Sequence, residues 1–502
     1  MQDELDMHKS HKERNMMGQF ATPYGLAVEI MEHVRSLCKH GAMTYLEPAM
    51  GTGAFYSAFN RVFGDDAGHA LGFEVDPYYF KPAQQLWAGF DIDMRCEDFL
   101  SANVGETKFD LIVANPPYVR HHNIMCEVKE RLKCDVKKEV GIRVSGLAGL
   151  YCYFIMLSTK WLKEGGLSCW LVPCEFMDVN YGKALRQYLT ENVELLQIHR
   201  FGTDDLKFKD ALVSSCVVIF RNKLPARQNV VFTTGEHIGK PLMKHDINVD
   251  ALAQEDKWGS LFFNGFVGKK DSTFTLGRFF TVKRGIATGD NKFFVIDAET
   301  VKQYSMPQKF LRPVLPSPRY VDGNIVNEAP DGSPLLPIRQ YLFTCGMDEE
   351  SLKNDYPMVW KYIQMGIDRG VDCGYICSRR SPWYLCEDRK PAPIVVPYME
   401  RNGRNGRLFR FILNNSKALA TNVYLLLYPK VNFVNCLEDK KILAEVWRRL
   451  NHIPTVELIT NGRFYGGGLS KIEPRELMNV PVPEIADLML PLEQNVELSL
   501  FA

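Results

Sequence analysis

The chain has 502 residues, 46% of them hydrophobic and 24% charged, the balance of a folded protein too long for one core and suited to two or three domains. Sixty Lys and Arg offset sixty Asp and Glu, which excludes a general polyanion binder and requires any nucleic-acid surface to concentrate its basic residues locally. A polar, charged Met1 to Gly18 predicts no secretory signal, no apolar stretch suffices for a bilayer, and 13 scattered cysteines, with Cys169 and Cys216 inside apolar runs, suit a reducing cytoplasm.

The first 225 residues alternate strand-like and helix-like segments, which predicts an α/β domain with a largely parallel sheet. Gly18-Gln19-Phe20-Ala21-Thr22-Pro23 reads as a helix start, Thr22 as cap and Pro23 as the first helical residue, before a helix over Tyr24–Cys38. Strands are expected at Met43–Ala49, His69–Asp76, Asp91–Phe99, Phe109–Pro116, Gly166–Glu175, Glu194–Phe201 and Ser214–Arg221, with a helix over Leu150–Leu162. Only a loop separates the last two strands, so they should pair antiparallel. Seven strands with a closing hairpin are the Rossmann-like methyltransferase variant of the doubly wound sheet, whose ligands bind at the carboxyl ends of the strands. Leu224-Pro225-Ala226 reads as a boundary between domains 1–225 and 226–502. The second is expected to be a folded mixed α+β domain with many loops, because prolines cluster from Pro307 to Pro337 while aromatics persist throughout.

Four strand ends carry polar residues in sheet order. The first leads into Glu47-Pro48-Ala49-Met50-Gly51-Thr52-Gly53, whose glycines let backbone approach a ligand, a signal that alone fits any nucleotide binder. Glu74, about twenty residues on, is placed to accept bonds from ribose hydroxyls, or is simply a solvated strand end. The third ends at Asp98 and Phe99, an acceptor for an adenine amino group and a ring for its face. The glycine loop lacks the phosphate-cradling Lys-Ser/Thr, so the ligand reads as a nucleoside without phosphates, as S-adenosylmethionine is. The fourth stops at Asn115-Pro116-Pro117-Tyr118, because neither proline can donate to a sheet ladder. An amide oxygen beside a backbone carbonyl can accept both hydrogens of an exocyclic amine, and a tyrosine ring can stack on a base. An Asn-capped Pro-Pro turn is the plain alternative. Cys373, Cys377 and Cys386 lack the tight pairs of a zinc ribbon, so no metal is expected.

Taken together, Gln19-Phe20-Ala21-Thr22-Pro23, Glu47 to Phe55 and Asn115-Pro116-Pro117-Tyr118-Val119-Arg120-His121-His122 resemble the gamma-class N6-adenine-specific DNA methyltransferases of type II restriction–modification systems, of the Eco57I-like kind. Lys283 to Phe294 and Gly466 to Leu477 resemble segments of those enzymes' target-recognition region. The resemblance implies a bacterial or archaeal cytoplasmic enzyme that uses S-adenosylmethionine to methylate an adenine flipped out of double-stranded DNA, with a cognate restriction endonuclease as a possible partner in the same system. It implies Thr22, Glu47, Ala49, Gly51 and Gly53 around the cofactor, Glu74 on the ribose, Asp98 and Phe99 on the adenine ring and Phe154 closing the far side. It also implies Asn115, Pro116, Pro117 and Tyr118 as the catalytic turn, with Tyr118 and Phe208 stacking on the target base.

Contacts to DNA are expected where charge concentrates. From Ser378 to Arg410 eight basic side chains face three acidic ones, interleaved with Trp383, Tyr384 and Tyr398. Arg284, Arg379, Arg380, Arg401, Arg404 and Arg407 are the candidate DNA-binding residues, against the plain reading of a solvated basic surface. Lys129 to Arg143 is a second basic stretch. A protein-glutamine N-methyltransferase shares the Asn-Pro-Pro-Tyr logic but is much shorter, and a specificity protein without catalysis fits poorly with an intact motif set. No acidic-acidic-lysine nuclease core is evident.

Overall fold

A computed structural model describes residues 1–39, 41–202, 215–225, 229–259, 261–264, 274–401, 409–454, 457–458, 462–465 and 469–490. The chain divides into two compact units, Met1–Lys269 with Phe464–Gly468, and Lys270–Arg463 with Leu469–Ala502.

The first unit is a nine-stranded sheet of β1 (Met43–Glu47), β2 (Ala67–Phe73), β3 (Ile92–Arg95), β4 (Phe109–Ala114), β5 (Leu162–Pro173), β6 (Glu194–Phe201), β7 (Ser215–Arg221), β8 (Asn229–Gly235) and β9 (Met243–Asn248), in the order β3-β2-β1-β4-β5-β7-β6-β8-β9. The first five strands run parallel, and β7 lies antiparallel between β5 and β6, as the short connection from β6 to β7 requires. Its helices include α1 (Gln2–Met7), α2 (His11–Met17), α3 (Tyr24–Leu37), α4 (Ala54–Phe63), α5 (Pro77–Leu86), α6 (Cys126–Val140), α7 (Leu150–Ser158) and α8 (Lys183–Glu191).

Period-two alternation splits the sheet between two cores. Tyr45, Leu111, Val113, Cys169, Leu171, Val217 and Ile219 pack with α3 and α4, while Leu46, Ile112, Trp170, Val172, Val218 and Phe220 pack with α7 and α8. Both faces are covered, which is why these strands are near-continuous apolar runs.

The expected boundary after Pro225 is corrected by β8 and β9. β8 pairs parallel with β6 and β9 pairs antiparallel with β8, and Val230, Phe232 and Ile247 are buried in the same core as Val218 and Phe220. Two further strands thus cover the edge that β6 would expose, and the division falls at Lys269/Lys270. Pro225 sits in a loop within the first unit.

The second unit is mixed α+β. A five-stranded sheet places Phe280–Arg284, Tyr424–Pro429, Ile394–Pro397, Ile412–Asn414 and Ile325–Val326 side by side in that order. A three-stranded antiparallel sheet of Val295–Asp297, Gln340–Phe343 and Leu311–Val314 and the helix Pro357–Asp368 share a separate apolar cluster. Among the described residues no helix is long and apolar enough to cross a membrane.

Candidate active site

Strand order reverses between β1 and β4, so the loops after these two neighbours open a crevice at the carboxyl edge of the sheet. The Tyr45 hydroxyl joins the two strand ends, 2.9 Å from the Val113 carbonyl and 3.1 Å from Glu47 Oε2. The glycine loop and the Asn-Pro-Pro-Tyr turn therefore start from one rigid point.

Asn115 is the best-defined group in the crevice. Its Nδ2 donates to the Phe20 carbonyl at 2.8 Å and to Thr22 Oγ1 at 3.1 Å. A carbonyl can only accept, so the amide orientation is fixed with both N–H groups spent. Its Oδ1 is buried and has no hydrogen-bond partner among the described residues. A buried acceptor left open costs about 1–3 kcal/mol, so a fixed, vacant acceptor at a strand end marks a place for a donor.

Thr22 is thereby corrected as a helix cap. α3 starts at Tyr24 with Pro23 as its N-cap residue and no capping side chain, because the Thr22 hydroxyl receives the Asn115 amide instead. Tyr118 is 9% exposed, its hydroxyl donating to the Leu171 carbonyl at 3.0 Å and its ring 5.6 Å from that of Phe20. The ring is anchored at its edge and in its plane. Pro116 is buried and Pro117 half-buried between these anchored neighbours.

Around the glycine loop, Gly53 takes φ +89°, and a Cβ on it would stand 2.5 Å from Trp87 Nε1, which donates to the Thr52 carbonyl at 3.0 Å. Glu74 is 9% exposed and accepts from the Gly51 and Asp76 amides at 2.9 and 2.8 Å. Burial still lifts its carboxyl above the usual range despite those two donors. Glu47 is more deeply buried, and burial raises its carboxyl well above its ordinary value. Ala49 and Gly51 are half-buried in the same turn. An open glycine backbone with a buried carboxylate beyond it fits a nucleoside ligand with hydroxyl donors.

Asp98 accepts from the Leu100 amide at 3.0 Å and the Ser101 hydroxyl at 2.7 Å, and lies 3.7 Å from Arg131. Phe99 and Phe154 stack on one another, centroids 5.5 Å apart and planes 25° apart, in a cluster with Phe73 and Trp161. No base fits between these two rings in direct contact.

Phe208 lies outside the described residues. So do Arg404 and Arg407, while Arg401 ends a short strand, Met399–Arg401. Arg379 is exposed, its guanidinium 3.6 Å from the Tyr375 ring centre. Arg380 differs: its two terminal nitrogens donate to the Thr288 and Ala287 carbonyls, so it knits two loops of the second unit together. Helix α6 carries the second basic stretch as a solvated face interleaved with Glu127, Glu130, Asp135 and Glu139, with Lys133 paired to Glu130.

The residues before Gly18 are a part of this site that sequence reasoning missed. Gln2 Oε1 accepts from the Thr52 hydroxyl at 2.6 Å, and Tyr79 donates to Asp6 at 2.8 Å. Lys9 pairs with Asp76, which also accepts from Gln19 Nε2 at 2.9 Å. Burial raises the Asp76 carboxyl, but Lys9, Gln19 and the Tyr78 amide together hold it below its ordinary range. Thus α1 and α2 strap the glycine loop to the turn after β2. The signal available was the capping box Ser10-His11-Lys12-Glu13 at the start of α2.

Comparison with known proteins gives a consistent result. Residues 265–498 match the model of the type II methyltransferase M.Eco57I C-terminal domain, and residues 79–207 match that of the Eco57I restriction-modification methylase. Type II methyltransferase M.AccI of Acinetobacter calcoaceticus is 26% identical over 489 residues, spanning 93% of this chain and 85% of its own. Type II methyltransferase M.XamI of Xanthomonas campestris pv. amaranthicola is 25% identical, spanning 88% and 81%. The solved type IIL restriction-modification enzyme MmeI, in complex with DNA, shares the fold with a TM-score of 0.58 at 12% identity. The match covers 95% of this chain, which spans 65% of the MmeI chain.

Proposed function

The chain belongs to the Eco57I-like type II restriction–modification methyltransferases, and from that premise we propose that it transfers a methyl group from S-adenosylmethionine to the N6 amino group of an adenine flipped out of double-stranded DNA. The observation that carries this reading is the vacant Asn115 Oδ1, fixed as an acceptor by the two bonds on its other side.

An adenine amino group is a poor nucleophile because its lone pair is delocalised into the ring. Accepting its two hydrogens on Asn115 Oδ1 and the Pro116 carbonyl favours a pyramidal nitrogen with a directed lone pair. Asn115 and Pro116 do this by preorganisation, since neither must move when charge develops. When bound, S-adenosylmethionine supplies an electrophilic methyl group on a sulfonium centre. Glu74 accepts from ribose hydroxyls, Gly51 and Gly53 let the main chain approach, and Glu47, Ala49, Thr22, Asp98 and Phe99 complete the surround. The nitrogen's surplus proton leaves to water after transfer, so no strong base is needed and His121 and His122 take no catalytic role. Tyr118, already anchored, and Phe208 hold the extruded base, with stacking of about 1–3 kcal/mol offsetting the cost of unstacking. Exposed arginines of the second unit, Arg284 and Arg379 among them, together with Arg401, Arg404 and Arg407, contact the duplex. Arg380 belongs to the scaffold.

The test is transfer of labelled methyl groups from S-adenosylmethionine to unmethylated DNA, followed by nucleoside analysis, with Asn115→Ala as control. N6-methyladenine from the wild type and not from the variant is expected. Label on cytosine, or none on DNA carrying every short adenine-containing site, would overturn the proposal.

A further inference from the structure

A cleft of about 410 Å3 lies wholly within the second unit, lined among others by Arg284, Arg319, Tyr398, Glu400, Arg410 and Asn422. Arg284 ends the strand Phe280–Arg284 and is exposed. Its guanidinium lies over the Tyr398 ring at 4.0 Å from the centre, and its Nε donates to the Asn422 carbonyl at 3.3 Å. Tyr398 is itself buried and held by a 2.7 Å bond from its hydroxyl to Glu473. The plane and bearing of the Arg284 fork are thus set by the fold, while its terminal nitrogens have no partner among the described residues. An arginine normally loses much rotamer freedom when fixed, and here most of that loss has occurred before any ligand arrives.

A guanidinium fork meets two nucleic-acid partners well, a phosphate and the O6/N7 edge of guanine. The cleft favours the second. A phosphate needs only a point of positive charge, whereas a fork held in one plane by the Tyr398 ring and the Asn422 carbonyl matches the planar edge of a base. Glu400 on the same wall is already paired with Arg410, 3.5 Å from its Nε. Asn422, whose side chain meets Asn291 at 3.4 Å, adds a neutral amide beside the fork. Resting on the reading of the chain as a DNA methyltransferase, we propose that Arg284 reads a guanine of the recognition sequence through a bidentate contact to O6 and N7. The recognition sequence then contains at least one G·C pair, and the cleft receives its major-groove edge.

The experiment is selection of randomised duplex DNA by the full chain with S-adenosylhomocysteine present, comparing wild type, Arg284→Ala and Arg284→Lys. The wild type should enrich a motif containing a G·C pair whose replacement lowers retention roughly 10-fold or more. Both variants should enrich the same motif made degenerate at that pair alone, the lysine variant because it keeps the charge but loses the fork. Equal weakening on all sequences with a shallower salt dependence would instead identify a phosphate contact and overturn the proposal. An unchanged motif in both variants, or no guanine-containing motif in the wild type, would overturn it too. Retention needs no methyl transfer, so a chain that selects the motif without methylating it overturns the catalytic reading and supports this one.

Discussion

Gly18 presses so closely on Tyr118 that a Cβ there would stand 2.4 Å from the Tyr118 nitrogen, whose N–H bonds to the Gly18 carbonyl at 3.1 Å. With φ at +66° the position is also strained for any L side chain. This contact holds the segment bearing Phe20 and Thr22 against the Asn-Pro-Pro-Tyr turn, and so sets the Asn115 amide. Gly18→Ala should lower stability by about 1–3 kcal/mol, the range for a strained left-handed residue, measured by chemical denaturation. Methyl transfer should fall further than the loss of folded protein explains, because the turn itself is displaced.

Asn115→Asp tests whether the vacant acceptor or the mere shape of the turn matters. A carboxylate cannot donate to the Phe20 carbonyl, so the fixed orientation is lost and repulsion replaces attraction. Single-turnover transfer should fall by about 10²–10³, the scale for removing one preorganised polar group, while binding of labelled S-adenosylmethionine changes little. Transfer within a factor of a few of wild type would refute the role.

Much of the first unit was legible in the sequence because its signals are local. Buried parallel strands are apolar runs, and the prolines at 116 and 117 end β4, which stops at Ala114, two residues short of the expected Pro116. The sheet edge was not legible, since Asn229–Gly235 and Met243–Asn248 become strands only by pairing with one another and with β6. Nor was the second role of Thr22, because a threonine before a proline looks like a cap until a partner 93 residues away takes its hydroxyl. Phe154 falls inside α7 as expected, and Phe99 lies four residues beyond the end of β3, which was expected to reach it, but whether two rings face or stack is a matter of packing and not of spacing.

Glu47 connects stability to pH. Burial raises its folded-state carboxyl well above the ordinary 4.5, and the neighbouring charge of Glu74 adds to this. The sign follows from linkage: the native state binds the proton more tightly, so this contribution is fully present below about pH 4.5 and is lost as pH rises through the raised folded value. Glu47→Gln keeps the shape and removes the titration. It should stabilise the protein more at pH 8 than at pH 4, seen as a larger gain in urea midpoint at the higher pH, while cofactor affinity falls.

The strap formed by α1 and α2 should govern how firmly the cofactor is held. Lys9 and Asp76 are largely buried together, with side chains 19% and 14% exposed, and Gln2 reaches the glycine loop through Thr52. Replacing Lys9 by Ala leaves Asp76 with Gln19 and the Tyr78 amide as remaining donors and loosens the turn that also fixes Glu74. Breaking a partly buried pair of this kind costs more than the 0–1 kcal/mol of an exposed one, so the cofactor dissociation constant should rise by about 10-fold. Lys9→Ala with Gln2→Ala should act on one strap and give less than the product of the single effects. Transfer at saturating S-adenosylmethionine should stay near wild type, because neither side chain touches Asn115. Isothermal titration of the cofactor and a KM-against-kcat comparison decide the matter, and a loss confined to kcat would show that the strap serves the turn after β4 instead.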